Sequence, residues 1–461
     1  MICFRSPDSI PSAYLEDASG FRGQAEALFI PEDEAELADV LQQAQSRQMP
    51  VTLAGAGTGL TGGRVPLGGW IISLERFNSL QILAGTATAG AGVVLRDLHA
   101  AAAASGQLYP PDPTEPGASV GGTIACNASG SRSFRYRDTR HWVKSVRVAF
   151  LDGSIRTFRR GEAVDFPAPN LPRPRSRKHS AGFLLYPGMD WVDLFIGSEG
   201  TLGVITQAEL GLLPAPQALL TGVIFFTSEE QALDAVDLWR TVDGLRMLEY
   251  LDAASLRLLA GRYPAIPAEA QAALLIEQEM SSEADEERWL GRLEKAGALA
   301  DSSWFAASDT DRERFRRFRH ALPEAVNDLV RRRGLMKMGT DFAVPVEHNR
   351  QMLSIYRSAL DAHFPGRHVI FGHVGDAHLH VNILPDTPQE AETAQALMLE
   401  FARAAAQLGG TVGAEHGLGK RKAHYLSLLY SAEQIEAMQA VKRRFDPQGL
   451  LGRGTLFPAA D

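Results

Sequence analysis

The sequence predicts a fold that mixes strands and helices, α+β or α/β, in two parts that meet near residue 215. Glycine-rich segments follow short apolar strands throughout the first part. Beyond residue 215, strands at 222–226 and 273–277 alternate with charged amphipathic helices such as 283–296, a pattern with a core of its own. Near the C-terminal end a polar cluster, Gly372-His373-Val374-Gly375-Asp376-Ala377-His378-Leu379-His380-Val381-Asn382, followed later by Glu415-His416, sits between apolar segments.

The elements come in order from local pattern. Residues 31–48 read as a helix that Pro31 opens, with acidic residues in its first turn and Leu37, Val40, Leu41 and Ala44 at helical spacing. A strand at 50–54 runs into glycines, and 70–74 reads as another buried strand. Residues 96–105 form an alanine-rich helix, and 143–150 a strand ending at the turn Asp152-Gly153. Residues 193–197 and 203–206 close the first part. The stretch 161–187, rich in proline and basic residues, reads as an insertion.

A chain of 461 residues suits two or three domains. Its net charge of −9 argues against nucleic acid or an anionic membrane surface as the main partner. The basic run from Arg173 to Lys178 lies among prolines and reads as an exposed loop. Two cysteines, Cys3 and Cys126, are too few for a disulfide framework or an iron–sulfur cluster, so any electrons this protein handles must leave through another molecule. The first seven residues carry no apolar targeting stretch, and no apolar run reaches ~18 residues. The expectation is a cytoplasmic protein without a transmembrane segment.

Gly57-Thr58-Gly59-Leu60-Thr61-Gly62 is a literal G-x-G-x-x-G after a strand. A nicotinamide fingerprint must open a helix, yet Gly63, Pro66, Gly68 and Gly69 come next and another strand begins at Trp70. The same residues suit an anion nest, in which successive backbone N–H groups wrap a pyrophosphate. A second segment runs from Pro110-Pro111-Asp112-Pro113 through Gly117-Ala118-Ser119-Val120-Gly121-Gly122 to Asn127-Ala128-Ser129-Gly130. A third is Gly197-Ser198-Glu199-Gly200-Thr201-Leu202-Gly203. Together they could lay backbone close along a flat cofactor.

These segments, with Gly121-Gly122-Thr123-Ile124-Ala125-Cys126-Asn127-Ala128 and the run from Ile196 to Thr206, resemble the FAD-binding segments of the vanillyl-alcohol oxidase/p-cresol methylhydroxylase superfamily. Within it the chain is most similar to the FAD-linked 2-hydroxyacid dehydrogenase branch, which holds D-lactate dehydrogenase, D-2-hydroxyglutarate dehydrogenase and the glycolate oxidase flavoprotein subunit. The resemblance implies an α+β fold: a two-subdomain FAD-binding domain of the p-cresol methylhydroxylase type at 1–215, a cap with an antiparallel sheet at 216–440, and a segment at 441–461 returning to the FAD domain. It implies that Gly55, Ala56, Gly57, Thr58 and Gly59 hold the pyrophosphate. Pro111, Asp112, Ser119, Gly122, Thr123, Asn127, Ala128 and Ser129 are implied to line the flavin, and Glu199, Gly200 and Ile205 to contact the adenosine side or flavin edge. The first loop has no histidine, which implies non-covalent FAD. The chain departs from the family at Leu53-Ala54, where relatives place Pro-Arg, and at Gly452-Arg453-Gly454, where Asn-Pro-Gly is common.

The polar cluster has its own geometry. On a strand from His378, residues 378, 380 and 382 share one face, and a turn at Gly375-Asp376 could fold His373 back toward them. Glu415 and His416 lie between glycines that let backbone approach. Two neutral imidazoles and a carboxylate are a common ligand set for a divalent metal. The resemblance assigns His373, His380 and Glu415 as ligands of zinc, or of manganese or iron, with Asn382 at the substrate and His416 as general base. His378, grouped with the substrate-facing residues, stands where relatives have asparagine, as an extra ligand, a residue behind the ligands or a bystander. Arg319 is similar to the family's carboxylate-binding arginine, and Lys337 is a looser match of the same kind.

The function expected is FAD-dependent oxidation of a small 2-hydroxy acid, such as glycolate or, where the acid is chiral, a D-configured one such as D-lactate or D-2-hydroxyglutarate, to its 2-oxo acid. Electrons would pass to an external acceptor: a quinone, a cytochrome, an electron-transfer flavoprotein or an iron–sulfur subunit. Such an acceptor could bring the protein peripherally to a membrane. The alternatives are a flavoprotein electron-transfer subunit of a larger complex, an oxygen-using FAD oxidase and a flavin-free metallohydrolase.

Overall fold

Three sheets organise the chain, whose computed structural model describes residues 3–282, 284–334 and 337–458. The first sheet has strands Cys3–Arg5, Ala27–Ile30, Trp70–Ser73 and Val51–Ala54 in that spatial order, the last three parallel. Helix Glu34–Ser46 covers it and buries Leu37, Val40, Leu41 and Ala44. Its start is set by Asp33 rather than Pro31, because the Asp33 carboxylate accepts the N–H of Glu36 at 2.9 Å. No helix separates Val51–Ala54 from Trp70–Ser73, so the glycine stretch between them is a loop and not a nicotinamide fingerprint. The chain's end returns to this sheet, where Val51 N donates to Leu450 O (2.8 Å) and Gly452 N to Val51 O (2.9 Å).

The second sheet is antiparallel, in the order Leu80–Leu83, Thr86–Gly90, Val204–Gly211, Val143–Ala149, Ile155–Arg159. Helices Leu95–Ala104 and Val120–Cys126 belong to the same half, the first within a residue of its predicted span. Residues 161–187 form no strand or helix, yet Leu171, Lys178, Phe183 and Leu185 within them are buried. The stretch is packed from Lys178 onward, whereas among residues 161–177 only Leu171 is buried.

The third sheet has seven antiparallel strands, ordered Trp304–Phe305, Leu219–Phe226, Ala272–Glu279, Leu245–Asp252, His368–His373, His378–Ile383, Met338–Gly339. Strand Leu245–Asp252 is buried at every residue because both faces are covered. Leu248 and Tyr250 join a large core shared with the second sheet, while Met247 and Leu251 join a smaller core with Phe318 and Leu322 of helix Asp309–Arg333. Helix Ala284–Lys295 matches the predicted 283–296, of which residue 283 lies outside the described residues. No helix among the described residues is long and apolar enough to cross a membrane.

Candidate active site

The three glycine segments converge on one cavity of about 860 Å³. Gly55 to Gly59, then Ser119, Gly122, Thr123, Ala128 and Ser129, then Glu199, Gly200 and Ile205 all line it. The first loop needs glycine at Gly57, where φ is +84° and an added Cβ would stand 2.6 Å from Arg64 Nη1. That guanidinium staples the loop, donating to Gly55 O at 2.7 Å and Ala13 O at 2.6 Å, and its buried Nε has no partner among the described residues. A cavity of this volume walled by backbone and one such cation fits a dinucleotide carrying a pyrophosphate.

Pro111, Asp112 and Asn127, expected along the flavin, do not line the cavity. Asn127 takes the left-handed conformation (φ 50°) that ends helix Val120–Cys126. Its amide donates to Asp138 Oδ2 at 2.8 Å and His179 O at 3.1 Å. Asp112 accepts from Ser131 Oγ at 3.0 Å and sits 3.6 Å from Arg132 Nη1. Both residues hold the segment in shape.

Glu199 ties the cavity to the C-terminal cluster. Its carboxylate accepts the N–H groups of Leu418 and Gly419, each at 2.8 Å, and so fixes the loop after His416. Gly417 must be glycine there, since an added Cβ would lie 2.7 Å from Glu199 Cδ. Burial pushes Glu199 from its ordinary 4.5 up to about 7, against the lowering by those two N–H groups. A carboxyl raised in the folded state favours folding fully below pH 4.5 and loses that contribution as pH climbs through about 7. Glu199→Gln is therefore expected to flatten the fall in stability of the flavin-free protein over that window. Urea unfolding of both proteins across it provides the check, and parallel curves would refute the assignment.

The cluster is built by sheet register. His373 and His378 are direct cross-strand partners flanking the turn Val374–Asp376, and His380 comes two residues on, on the same face as His378. His373 Nδ1 lies 2.5 Å from Glu249 Oε1, and Arg319 Nε donates to Glu249 Oε2 at 2.7 Å. His380 Nδ1 faces the Thr340 carbonyl at 3.3 Å. With both Nδ1 atoms turned to acceptors, the two Nε2 atoms point at one oxygen, Glu415 Oε1, at 3.1 and 3.4 Å. Two imidazole lone pairs converging on a carboxylate oxygen need a proton or a cation between them. The donor set therefore fits a divalent metal whose ligands are already oriented from behind.

The other oxygen, Glu415 Oε2, is held by Ser129 Oγ (2.7 Å), Gly130 N (3.0 Å) and Lys178 Nζ (2.9 Å). Burial disfavours the Glu415 anion, yet Lys178 and His373 hold its pKa well below the ordinary carboxylate value. For His373, burial opposes charge, but Glu249 and Glu415 raise its pKa above the usual value. Lys178 corrects the expectation of a solvated basic loop: its side chain is only 1% exposed. The sequence signal was the apolar stretch just after it, in which Ala181, Phe183 and Leu185 are buried.

Glu415 and His416 also line the cavity, so the cluster and the glycine loops share one space. Burial pushes His416 down to about 4, leaving a neutral imidazole stacked on His380 at 5.7 Å. His416 Nδ1 lies 3.6 Å from Asp341 Oδ2, which itself accepts the N–H groups of Ala414 (3.1 Å) and His416 (3.0 Å). Arg319 reaches the cavity wall through Thr114 Oγ1 at 3.2 Å. Asn382 is buried on the same strand, opposite Gly339. Lys337 is half-buried and forms no hydrogen bond or ion pair among the described residues. Sequence reasoning missed Glu249, Asp341 and Lys178. The acid at 249 inside the run Leu245–Asp252 was a signal, since a charge in a fully buried strand needs a partner.

The chain is similar to known proteins over nearly its whole length. Residues 25–159 match the FAD binding domain, and residues 215–456 the C-terminal domain of FAD linked oxidases. The chain is 31% identical to glycolate oxidase subunit GlcD of Bacillus subtilis, over 96% of this chain and 92% of that one. It is 29% identical to a D-lactate dehydrogenase of Anaerostipes hadrus, over 97% and 93% of the two. It is 30% identical to a D-2-hydroxyglutarate dehydrogenase of Xanthomonas citri, over 94% and 90%. Among solved structures it resembles an alkyldihydroxyacetonephosphate synthase, with a TM-score of 0.68 over 94% of this chain and 76% of that one at 16% identity, a likeness of fold.

Proposed function

Since the chain belongs to the FAD-linked oxidase family and is an FAD-linked oxidoreductase, we propose that it oxidises a small D-configured 2-hydroxy acid to the 2-oxo acid. The observation that carries this reading is Glu415-His416, two adjacent residues that line the flavin-type cavity while Glu415 Oε1 faces His373 and His380. The three relatives named for glycolate, D-lactate and D-2-hydroxyglutarate support the substrate class.

When bound, FAD supplies the hydride acceptor, and a divalent cation held by His373, His380 and Glu415 supplies a Lewis acid. Arg319 binds the substrate carboxylate beside Thr114, steadied by Glu249. Asn382 orients the substrate from the His380 strand. His416, neutral and within reach of the cavity, takes the hydroxyl proton, and Asp341 stabilises the imidazolium that forms. FAD is held without a covalent bond, since the loop at 55–59 has no histidine. Electrons leave to an external acceptor, because two cysteines cannot build a cluster to receive them. On this basis the chain divides into an FAD domain at 1–215, a substrate domain at 216–440 and a returning tail.

The test is an anaerobic screen of D- and L-2-hydroxy acids against the purified yellow protein. At least one D-acid is expected to bleach the flavin. Bleaching by none, with dithionite still reducing it, would set the proposal aside.

A further inference from the structure

One buried imidazole takes no part in the chemistry proposed for this site. His378 is fully buried, and neither ring nitrogen has a hydrogen-bond partner among the described residues. Asp341 Oδ1 makes an ion-pair contact with Nε2 at 3.2 Å, outside hydrogen-bonding geometry, and Nδ1 has no polar partner among the described residues. Leaving a polar group unpaired in a closed interior costs stability, because it has given up water without a replacement. Such a residue in a well-packed strand points to a partner of another kind.

Its position says which. His378 is the register partner of His373, and it stands two residues before His380 on the same face. Its ring centroid is 4.4 Å from that of His380 and 5.2 Å from that of His373. One ligand atom from each of His373, His378, His380 and Glu415 can be chosen so that all lie within 4.8 Å of one another. That spread is within a few tenths of an ångström of what a single cation needs, since ligand atoms about 2.0–2.2 Å from a metal stand no more than about 4.4 Å apart, so small side-chain shifts would close the four residues on one ion.

Resting on the metal reading of the proposed function, we propose that His378 is a fourth protein ligand, so that this chain presents three imidazoles and one carboxylate to its cation. Four protein ligands close a tetrahedral ion and leave no position for substrate. A 2-hydroxy acid that chelates through hydroxyl and carboxylate adds two more donors. The site thus favours an ion that readily takes six ligands, such as manganese, iron, cobalt or nickel in the divalent state, over zinc.

The experiment uses the FAD-loaded full chain, stripped with chelator and reloaded with Co²⁺ alone, beside His378→Asn and His378→Gln. X-ray absorption is expected to count three imidazoles on cobalt in the parent and two in each variant. Competition with a chelating dye is expected to show Co²⁺ held at least about 10-fold more weakly by both variants, the lower end of what orienting residues already contribute. Retained flavin absorbance reports that the variants are folded, and the count on the parent needs no variant. Two imidazoles in the parent, with unchanged affinity in His378→Asn, would overturn this proposal and leave the metal reading intact. A parent chain that takes up no cobalt at all would overturn both.

Discussion

In His416→Ala, flavin reduction by the substrate is expected to slow by about 10²–10⁴-fold, the usual contribution of a positioned general base. FAD should stay bound, since His416 is one of many residues that line the cavity and the three glycine segments supply much of its wall. Metal affinity should change little, because His416 Nε2 stands 3.9 Å from Glu415 Oε1 while two other imidazoles face that oxygen more closely. Stopped-flow bleaching under anaerobic conditions measures the rate, and flavin content by absorbance measures retention. A loss of both together would mark His416 as structural, and a near-normal rate would remove it from the chemistry.

Lys178→Met is expected to cost the metal-free protein about 3–5 kcal/mol, the scale for removing one partner of a buried ion pair. The ammonium is 2.9 Å from Glu415 Oε2 and 4.0 Å from Asp376 Oδ2, and all three side chains are almost excluded from solvent. Methionine has a similar length, so the cavity term is small and the loss reports the orphaned charge. A saturating divalent cation, placed against Oε1, supplies positive charge to the same carboxylate and should recover part of the deficit. The double variant Lys178→Met/Glu415→Gln should likewise be less destabilised than the single one. Urea titrations with and without cation measure these differences, and equal cost in single and double variants would show that the pair is not coupled.

Much of this site was legible in sequence because it is local. The glycine loops need particular backbone at consecutive positions, and His378 and His380 share a face by strand period alone. The partners that give those residues their character come from elsewhere in the chain. Glu249 meets His373 across 124 positions, and Lys178 meets Glu415 across 237. No period or spacing carries such a pairing. It is set by the order of strands in the third sheet and by the path of residues 161–187, which brings Lys178 to Glu415. The same cause explains Asn127, which sits inside a glycine segment yet turns its amide to Asp138 and His179. Sequence shows that a segment hugs a cofactor before it shows which side chains face it.

Everything proposed for this chain depends on one space joining the flavin cavity to the histidine–carboxylate cluster. The decisive measurement is single-turnover flavin reduction by the best D-2-hydroxy acid, in protein as isolated, stripped of metal, and restored. Rapid bleaching is expected in the first, little in the second and recovery in the third, with FAD bound throughout. Equal rates in stripped and restored protein would show that the cluster plays no part in the flavin chemistry.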